Sequence, residues 1–394
     1  MTAAAAIVAD PDWREALDAL LRRLRLPMRG GDGVDLAILF ASSAYAAEFP
    51  SLVTAVREAV GARLLVGCSG QGVIGPGEEI EGDPALALLV LTLPGGTLRA
   101  SHLTQDELER LGSALVWHRF TGVAPEAVRG WLIFADPYTV DADQLLASLS
   151  AAYPGIPLAG GLASGNPLRQ RTHVFLDDRV YDRGAALLAV GGPCRITTVV
   201  SQGAAPIGRP WTITGAQGNL VETIGQRPAY EVLIETLRGL PPRLQARARG
   251  NLLVGLAADE HREELRRGDF LIRNLIGVIP ETGALAVGAI PRIGQTLQFQ
   301  VRDPAAATED LHDLLWRAKA HLGGLRPLAA LLCSCNGRGV GLFGRPHHDA
   351  KAVEEHLGPI PLAGLFCNGE IGPVGTQPYV HGFTASLALL VPDD

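Results

Sequence analysis

The sequence predicts an α/β protein of two domains, with mixed sheets built from repeated strand–helix–strand–strand units. Three observations predict it. Apolar runs of strand length, LAILF at Leu36–Phe40, WLIF at Trp131–Phe134 and LAALLC at Leu328–Cys333, each open a similar pattern. The pentapeptide IPLAG occurs at Ile156–Gly160 and again at Ile360–Gly364, and LALLVL at Leu86–Leu91 is echoed by LALLVP at Leu387–Pro392. A chain of 394 residues is also longer than one ordinary core requires.

The first unit runs from Leu36–Phe40 through the helical pattern FPSLVTAVREAVG to a strand at Arg63–Val66, which enters GCSG at Gly67–Gly70. A turn-rich segment then leads to LALLVL. The second unit takes Trp131–Phe134, the helix DADQLLASLSAAY, IPLAGGLASG at Ile156–Gly165, and a hairpin with Asp177 and Asp178 at its turn. The third takes Leu328–Cys333, the helix DAKAVEEHLG, IPLAGLFCNGE at Ile360–Glu370, and FTASLALLV. From first strand to second the intervals are 27 residues (Phe40 to Gly67), 26 (Phe134 to Gly160) and 32 (Leu332 to Gly364), the excess lying in NGRGVGLFGRPHH. Crossovers of this length make parallel, right-handed strand pairs, and the turn-linked strand adds antiparallel pairing.

A different region, Cys194–Gly324, separates the second and third units. It reads as strands punctuated by Gly and Pro, a helix YEVLIETLRGL, the strands LLVGLA, DFLIRNLIGVI and ALAVGAI, and the alternating strand GQTLQFQV. The helix ATEDLHDLLWRAKAHLG, acidic near its start and ending on glycine, closes it. The expected layout is an N-terminal helical extension over residues 1–30, one domain over 31–205 and a second over 206–394, with the boundary near 191–206.

Hydrophobic content of 47% against 19% charged describes a packed globular chain, not a disordered one. A net charge of −7 with only short basic clusters, such as RLQARARG at Arg243–Gly250, argues against nucleic-acid binding. Five cysteines, an odd number, give no disulfide framework. The N-terminus has no basic segment ahead of an apolar run, and no apolar run reaches the roughly 18–20 residues of a membrane span. A cytoplasmic protein without membrane insertion is expected.

Two matches to G-x-G-x-x-G, at Gly70, Gly72 and Gly75 and at Gly339, Gly341 and Gly344, lack the strand-to-helix context of a dinucleotide site and read as turns. Cys333, Cys335, His347, His348 and Cys367 do not show paired zinc-ligand spacing, so neither metal nor cofactor is expected. Cys335, Cys367 and Cys68 lie at glycine-rich strand exits, where a thiolate beside a base would act as a nucleophile; a small buried cysteine is the plainer reading. The sharper pair is Arg338 in CNGRG and Glu370 in CNGE. Both sit at strand ends, where open α/β sheets bind ligands. Arg338 there either clamps a carboxylate while Glu370 receives an ammonium, or the two pair with each other.

CSCNGRGVGLFG at Cys333–Gly344, followed by IPLAGLFCNGEIGP at Ile360–Pro373, resembles the C-terminal half of FIST (F-box and intracellular signal transduction) proteins. LLVGCSGQGVI at Leu64–Ile74 and IPLAGGLASG resemble their N-terminal half, and Gln202–Leu233 resembles the segment that opens the C-terminal half. The resemblance spans about residues 31–390. It implies an intracellular sensory module that binds a small molecule, with amino acids suggested as ligands; the Arg338 reading adds a small carboxylate as a candidate. The stretch before the first unit is too short for an F-box, so output is expected through a separate signalling protein. No catalytic residue carries over. The ligand is expected among Arg338, Glu370, Asn336, Asn368, Cys335, Cys367, Cys68, Ser69 and Ser164. The alternatives are a thiol-dependent enzyme using a strand-end cysteine and a protein-interaction scaffold.

Overall fold

The computed structural model describes residues 1–24, 33–166, 168–262 and 264–393. The expected boundary at residues 30–31 lies outside them. The chain packs as two compact units that are not consecutive stretches: Met1–Val200, Leu311–Val380 and Thr384–Asp394 form the first, Ser201–Asp310 and His381–Phe383 the second. The chain thus leaves the first unit and returns to it, and a division at 205/206 describes sequence order, not packing.

The first unit contains three six-stranded mixed sheets, one for each copy of the repeat. In the first sheet, Val34–Ser42 pairs parallel with Ala62–Gly70 across the helix Phe49–Val60, and antiparallel with the return strand Ala85–Thr92. In the second, Gly130–Ala135, the helix Ala142–Ala152, Leu158–Leu162 and Ala185–Gly191 repeat the arrangement. In the third it is Ala329–Cys335, the helix His348–Leu357, Leu362–Cys367 and Thr384–Pro392.

Each copy also contributes a hairpin, and each hairpin pairs with a neighbouring copy's sheet. Gly72–Gly75 of the first copy pairs with Leu362–Cys367 of the third. Val174–Leu176 of the second pairs with the first copy's Ala62–Gly70. Glu370–Val374 of the third pairs with the second copy's Leu158–Leu162. The exchange closes on itself.

The central strands are buried on both faces, which is why LAILF and LAALLC read as continuous apolar runs. Leu36, Ile38 and Phe40, Leu132 and Phe134, and Ala329, Leu331 and Cys333 join one core shared by the three sheets. The alternate residues Ala37, Leu39 and Ala41 pack instead against Phe49, Leu52, Val53 and Val56 of the crossover helix. Phe40 and Phe134 meet edge to face, 5.3 Å between ring centres.

Strand spacing at the parallel pairs depends on glycine. A Cβ at Gly67, Gly160 or Gly364 would lie 1.8, 2.0 or 2.0 Å from the carbonyl oxygen of Leu39, Ile133 or Leu332. These glycines are therefore equivalent positions of the repeat, and they correct the alignment of the cysteine loops. With Gly67 matched to Gly364, Cys68 corresponds to Leu365, and Cys367 to Gly70. GCSG and FCNGE resemble each other in letters but occupy different positions.

The N-terminal segment, expected as helical, begins as a strand, Thr2–Ala9, paired antiparallel along its whole length with Ala85–Thr92. Pairing with an apolar return strand overrides the helix propensity of its alanine run. The helix Trp13–Arg23 follows. Equivalent edge strands, Thr97–Leu103 and Cys194–Gln202, flank the other return strands.

The second unit carries a closed antiparallel ring: Trp211–Gln217, Leu220–Ile224, Ala284–Val287, Phe270–Ile279, Leu252–Ala257 and Thr296–Arg302, the last pairing with both the first and the fifth. Ile213, Val221, Val254, Leu285, Leu297 and Phe299 fill its core, with Val232 and Leu233 of the helix Ala229–Arg238 packed on it.

Candidate functional site

The exits of the parallel strands meet in the first unit, and hydrogen bonds tie the copies together there. Ser69 Oγ donates to the Ser164 carbonyl at 2.9 Å and accepts from His173 N at 3.0 Å. Ser164 Oγ donates to the Phe366 carbonyl and accepts from Gln71 N at 2.7 Å. Both serines are fully buried, so both hydroxyls serve backbone groups between copies. Asn368 Nδ2 donates to the Ala163 carbonyl at 3.1 Å, and Asn336 Nδ2 donates to Asn368 Oδ1 at 2.9 Å. Asn368 is exposed and Asn336 and Cys335 are half-buried, so these residues form the accessible rim of the centre.

Arg338 lies beneath, 1% exposed. Its partner is Asp349, in the first turn of the helix His348–Leu357: Nε reaches Oδ2 at 2.7 Å and Nη2 reaches Oδ1 at 2.8 Å. Burial opposes the guanidinium charge, but Asp349 outweighs it and raises the Arg338 pKa, with Cys335 and then Glu370 adding smaller effects. Ser334 Oγ donates to Asp349 Oδ2, and His348 Nδ1 lies 2.8 Å from Oδ1. Burial alone would raise the Asp349 carboxyl, but Arg338 and these bonds hold it well below the usual carboxylate range. The His348 ring stacks on Phe343 at 3.4 Å, and the guanidinium lies over the same ring at 5.2 Å. Two polar atoms of this centre are buried without a hydrogen-bond partner among the described residues: Arg338 Nη1 and Asn336 Oδ1.

The first copy's hairpin secures the Arg338 loop. Glu81 Oε1 accepts from Val340 N at 2.9 Å, Glu79 Oε1 accepts from Ala350 N at 2.8 Å, and Glu79 N donates to His347 Nδ1 at 2.9 Å. Gly339 is required here: its φ is +63°, and a Cβ would come within 2.4 Å of the Glu81 carboxylate oxygens. The glycine matches read as turns resolve differently from each other. Gly72–Gly75 is a strand, while Gly339 precedes a one-turn helix, Val340–Phe343.

Glu370 is fully buried; its Oε2 accepts from Thr384 N at 3.1 Å and its Oε1 lies 3.3 Å from the Cys367 thiol. Burial pushes Cys367 well above the ordinary thiol range, with Cys333 and the Glu370 charge adding to it. Burial and then Cys333 do the same to Cys68, and burial and Asp393 push Cys194 up to about 11. A nucleophilic thiolate needs the opposite environment. Cys335 is half-buried and its Sγ accepts from Gly337 N at 3.4 Å. Among the described residues no group of three or more His, Cys, Asp or Glu is placed to hold a metal ion, and no helix is long and apolar enough to cross a membrane.

The structure therefore brings Arg338, Glu370, Asn336, Asn368, Cys335 and Cys367 together at one strand-end centre, with Ser69 and Ser164 as the ties between copies and Cys68 in the shared core. Sequence reasoning missed Asp349, Ser334, Glu79 and Glu81. Asp349 had one readable signal, a carboxylate at the start of the helix that follows the Arg338 loop.

Fold and site define a three-copy α/β scaffold with a buried ionic centre at the strand exits, and a separate barrel unit inserted in sequence between Val200 and Leu311. The family model for the FIST N domain matches residues 35–227 and that for the FIST C domain residues 229–373; the chain belongs to the FIST family. FIST domains are associated with sensing in signal transduction. An uncharacterised protein of Mycobacterium tuberculosis strain H37Rv is 38% identical over 383 residues, covering 97% of each chain. One of Mycobacterium bovis is 38% identical over 389 residues, covering 98% of each. Among solved structures, a cyanuric acid hydrolase from A. caulinodans aligns over 100% of this chain and 99% of its own, at 10% identity and a TM-score of 0.35, too low to support any argument.

Proposed function

We propose that this chain is a binding module that senses a small molecule, an amino acid or a small carboxylate, at the strand-end centre of its first unit and reports occupancy to a separate protein. The observation that carries this reading is Arg338: one edge of the guanidinium is fixed by Asp349, while Nη1 is buried without a partner among the described residues. A buried donor left unmade costs about 1–3 kcal/mol, more when charged, and a ligand oxygen delivered there recovers that cost. Asn336 and Asn368 supply neutral amide groups at the rim above it. Burial pushes the Cys68, Cys194 and Cys367 thiols up, which favours binding over thiol catalysis at those cysteines.

Thermal denaturation with a panel of the amino acids, succinate, citrate and acetate tests the proposal. A ligand at a hundredfold excess over its Kd stabilises by about 2.7 kcal/mol, enough to displace the melting temperature measurably. At least one compound is expected to raise it, and Asn336→Ala, at the half-buried rim, is expected to weaken that compound's binding by about tenfold while leaving the unliganded melting temperature nearly unchanged. A panel without any shift, or a shift that survives both Asn336→Ala and Arg338→Lys, contradicts the assignment.

A further inference from the structure

The barrel unit has a cavity of its own. About 460 Å³ in volume, it is lined by Arg209, Trp211, Thr212, Glu260, Arg262 and Thr296, among others. Its charged groups differ in one respect. Glu260 accepts from Thr296 N at 2.8 Å and from Thr296 Oγ1 at 2.7 Å, and Arg262 donates to Asp269 at 2.6 Å. Arg209 has no carboxylate partner among the described residues; its guanidinium lies 3.8 Å over the Trp211 ring. Trp211 is itself held in place. Gly225, at φ +55°, lies close enough that a Cβ there would be 3.3 Å from the indole ring. The indole Nε1–H is buried with no hydrogen-bond partner among the described residues.

An arginine stacked on an indole keeps its planar fork of donors oriented, so less freedom is lost when an anion docks. We infer that this cavity is an oxyanion-binding site, distinct from the strand-end centre, in which Arg209 pairs with a carboxylate or phosphate group and Trp211 serves as its platform. Thr212, an exposed hydroxyl at the same wall, adds a further donor. Glu260 restricts the site to small anions of low charge, because a second negative group would meet its carboxylate.

The test is titration of the full chain with inorganic phosphate and, separately, with acetate, at constant ionic strength, followed by tryptophan fluorescence and by calorimetry. At least one anion is expected to bind saturably with a fluorescence change that Trp211→Phe removes. Arg209→Gln is expected to weaken binding by about tenfold or more, as loss of a charge-assisted bidentate contact does. Arg209 is exposed, so this variant leaves the fold in place. Asn336→Ala is expected to leave the titration unchanged, which separates this site from the strand-end centre. The better-bound anion names the source, phosphate or carboxylate. Absence of saturable binding by both anions, or unchanged affinity in Arg209→Gln, overturns the inference.

Discussion

Glu79 is 4% exposed, with Oε1 accepting from Ala350 N and Oε2 buried without a partner among the described residues. Burial first, then the charges of Asp349 and Glu81, push its carboxyl up to about 7, against the bonds from the Ala350 and Asp349 backbone. A folded-state value above the unfolded one means the native chain holds an extra proton in between. Its contribution is therefore fully present below pH ~4.5 and lost as pH rises through about 7, roughly 3 kcal/mol in all. Glu79→Gln keeps an acceptor for Ala350 N and removes the titration. Denaturant unfolding between pH 4.5 and 8 should show a flatter pH dependence in the variant and greater stability than wild type at pH 8; identical profiles would refute the buried, protonated state. Asp349 runs the other way. Its depressed carboxyl contributes stability above the ordinary carboxylate range and loses it only in strong acid. The sequence pointed to Arg338 and Glu370 because charges among small residues at strand ends are conspicuous. It could not point to Glu79, which lies 271 residues from the Ala350 amide it accepts from.

At the scale of elements, the crossovers were legible and the hairpins were not. Strand, helix and strand lie next to each other in sequence, and their periodicity is local. The four-residue strands Gly72–Gly75 and Glu78–Glu81 read only as a turn-rich segment, because the apolar partner of Gly72–Gly75 lies at the other end of the chain and, among the described residues, Glu78–Glu81 pairs only with Gly72–Gly75. The glycines at the crossovers carry a specific prediction. Gly160→Ala places a methyl 2.0 Å from the Ile133 carbonyl oxygen, whereas Gly112→Ala meets nothing within 4 Å. Thermal or urea unfolding should show a loss of about 3 kcal/mol or more for Gly160→Ala, and a change within about 0.5 kcal/mol for Gly112→Ala. Equal effects would contradict the close strand approach at the parallel pair.

At the scale of the whole molecule, the repeat explains why function concentrates at one place. Three copies exchange hairpins in a closed cycle, so the second strand of each copy is braced by a neighbouring copy's hairpin. Among the described residues, only the third copy carries a buried arginine–aspartate pair at the exit of its first strand; Ser69 and Ser164, at the second-strand exits of the other two copies, hold backbone instead. The threefold repetition was readable from IPLAG and LALLV, but the discontinuous packing was not, because the barrel unit interrupts the third copy between its edge strand and its helix Pro304–His321. Hydrogen–deuterium exchange of the full chain, with and without the compound that most raises the melting temperature, reads ligand binding at the strand-end centre segment by segment. Slowed exchange is expected in residues 334–343 and 366–370. Ligand-induced stabilisation with no slowing in residues 334–343 would contradict binding at that centre.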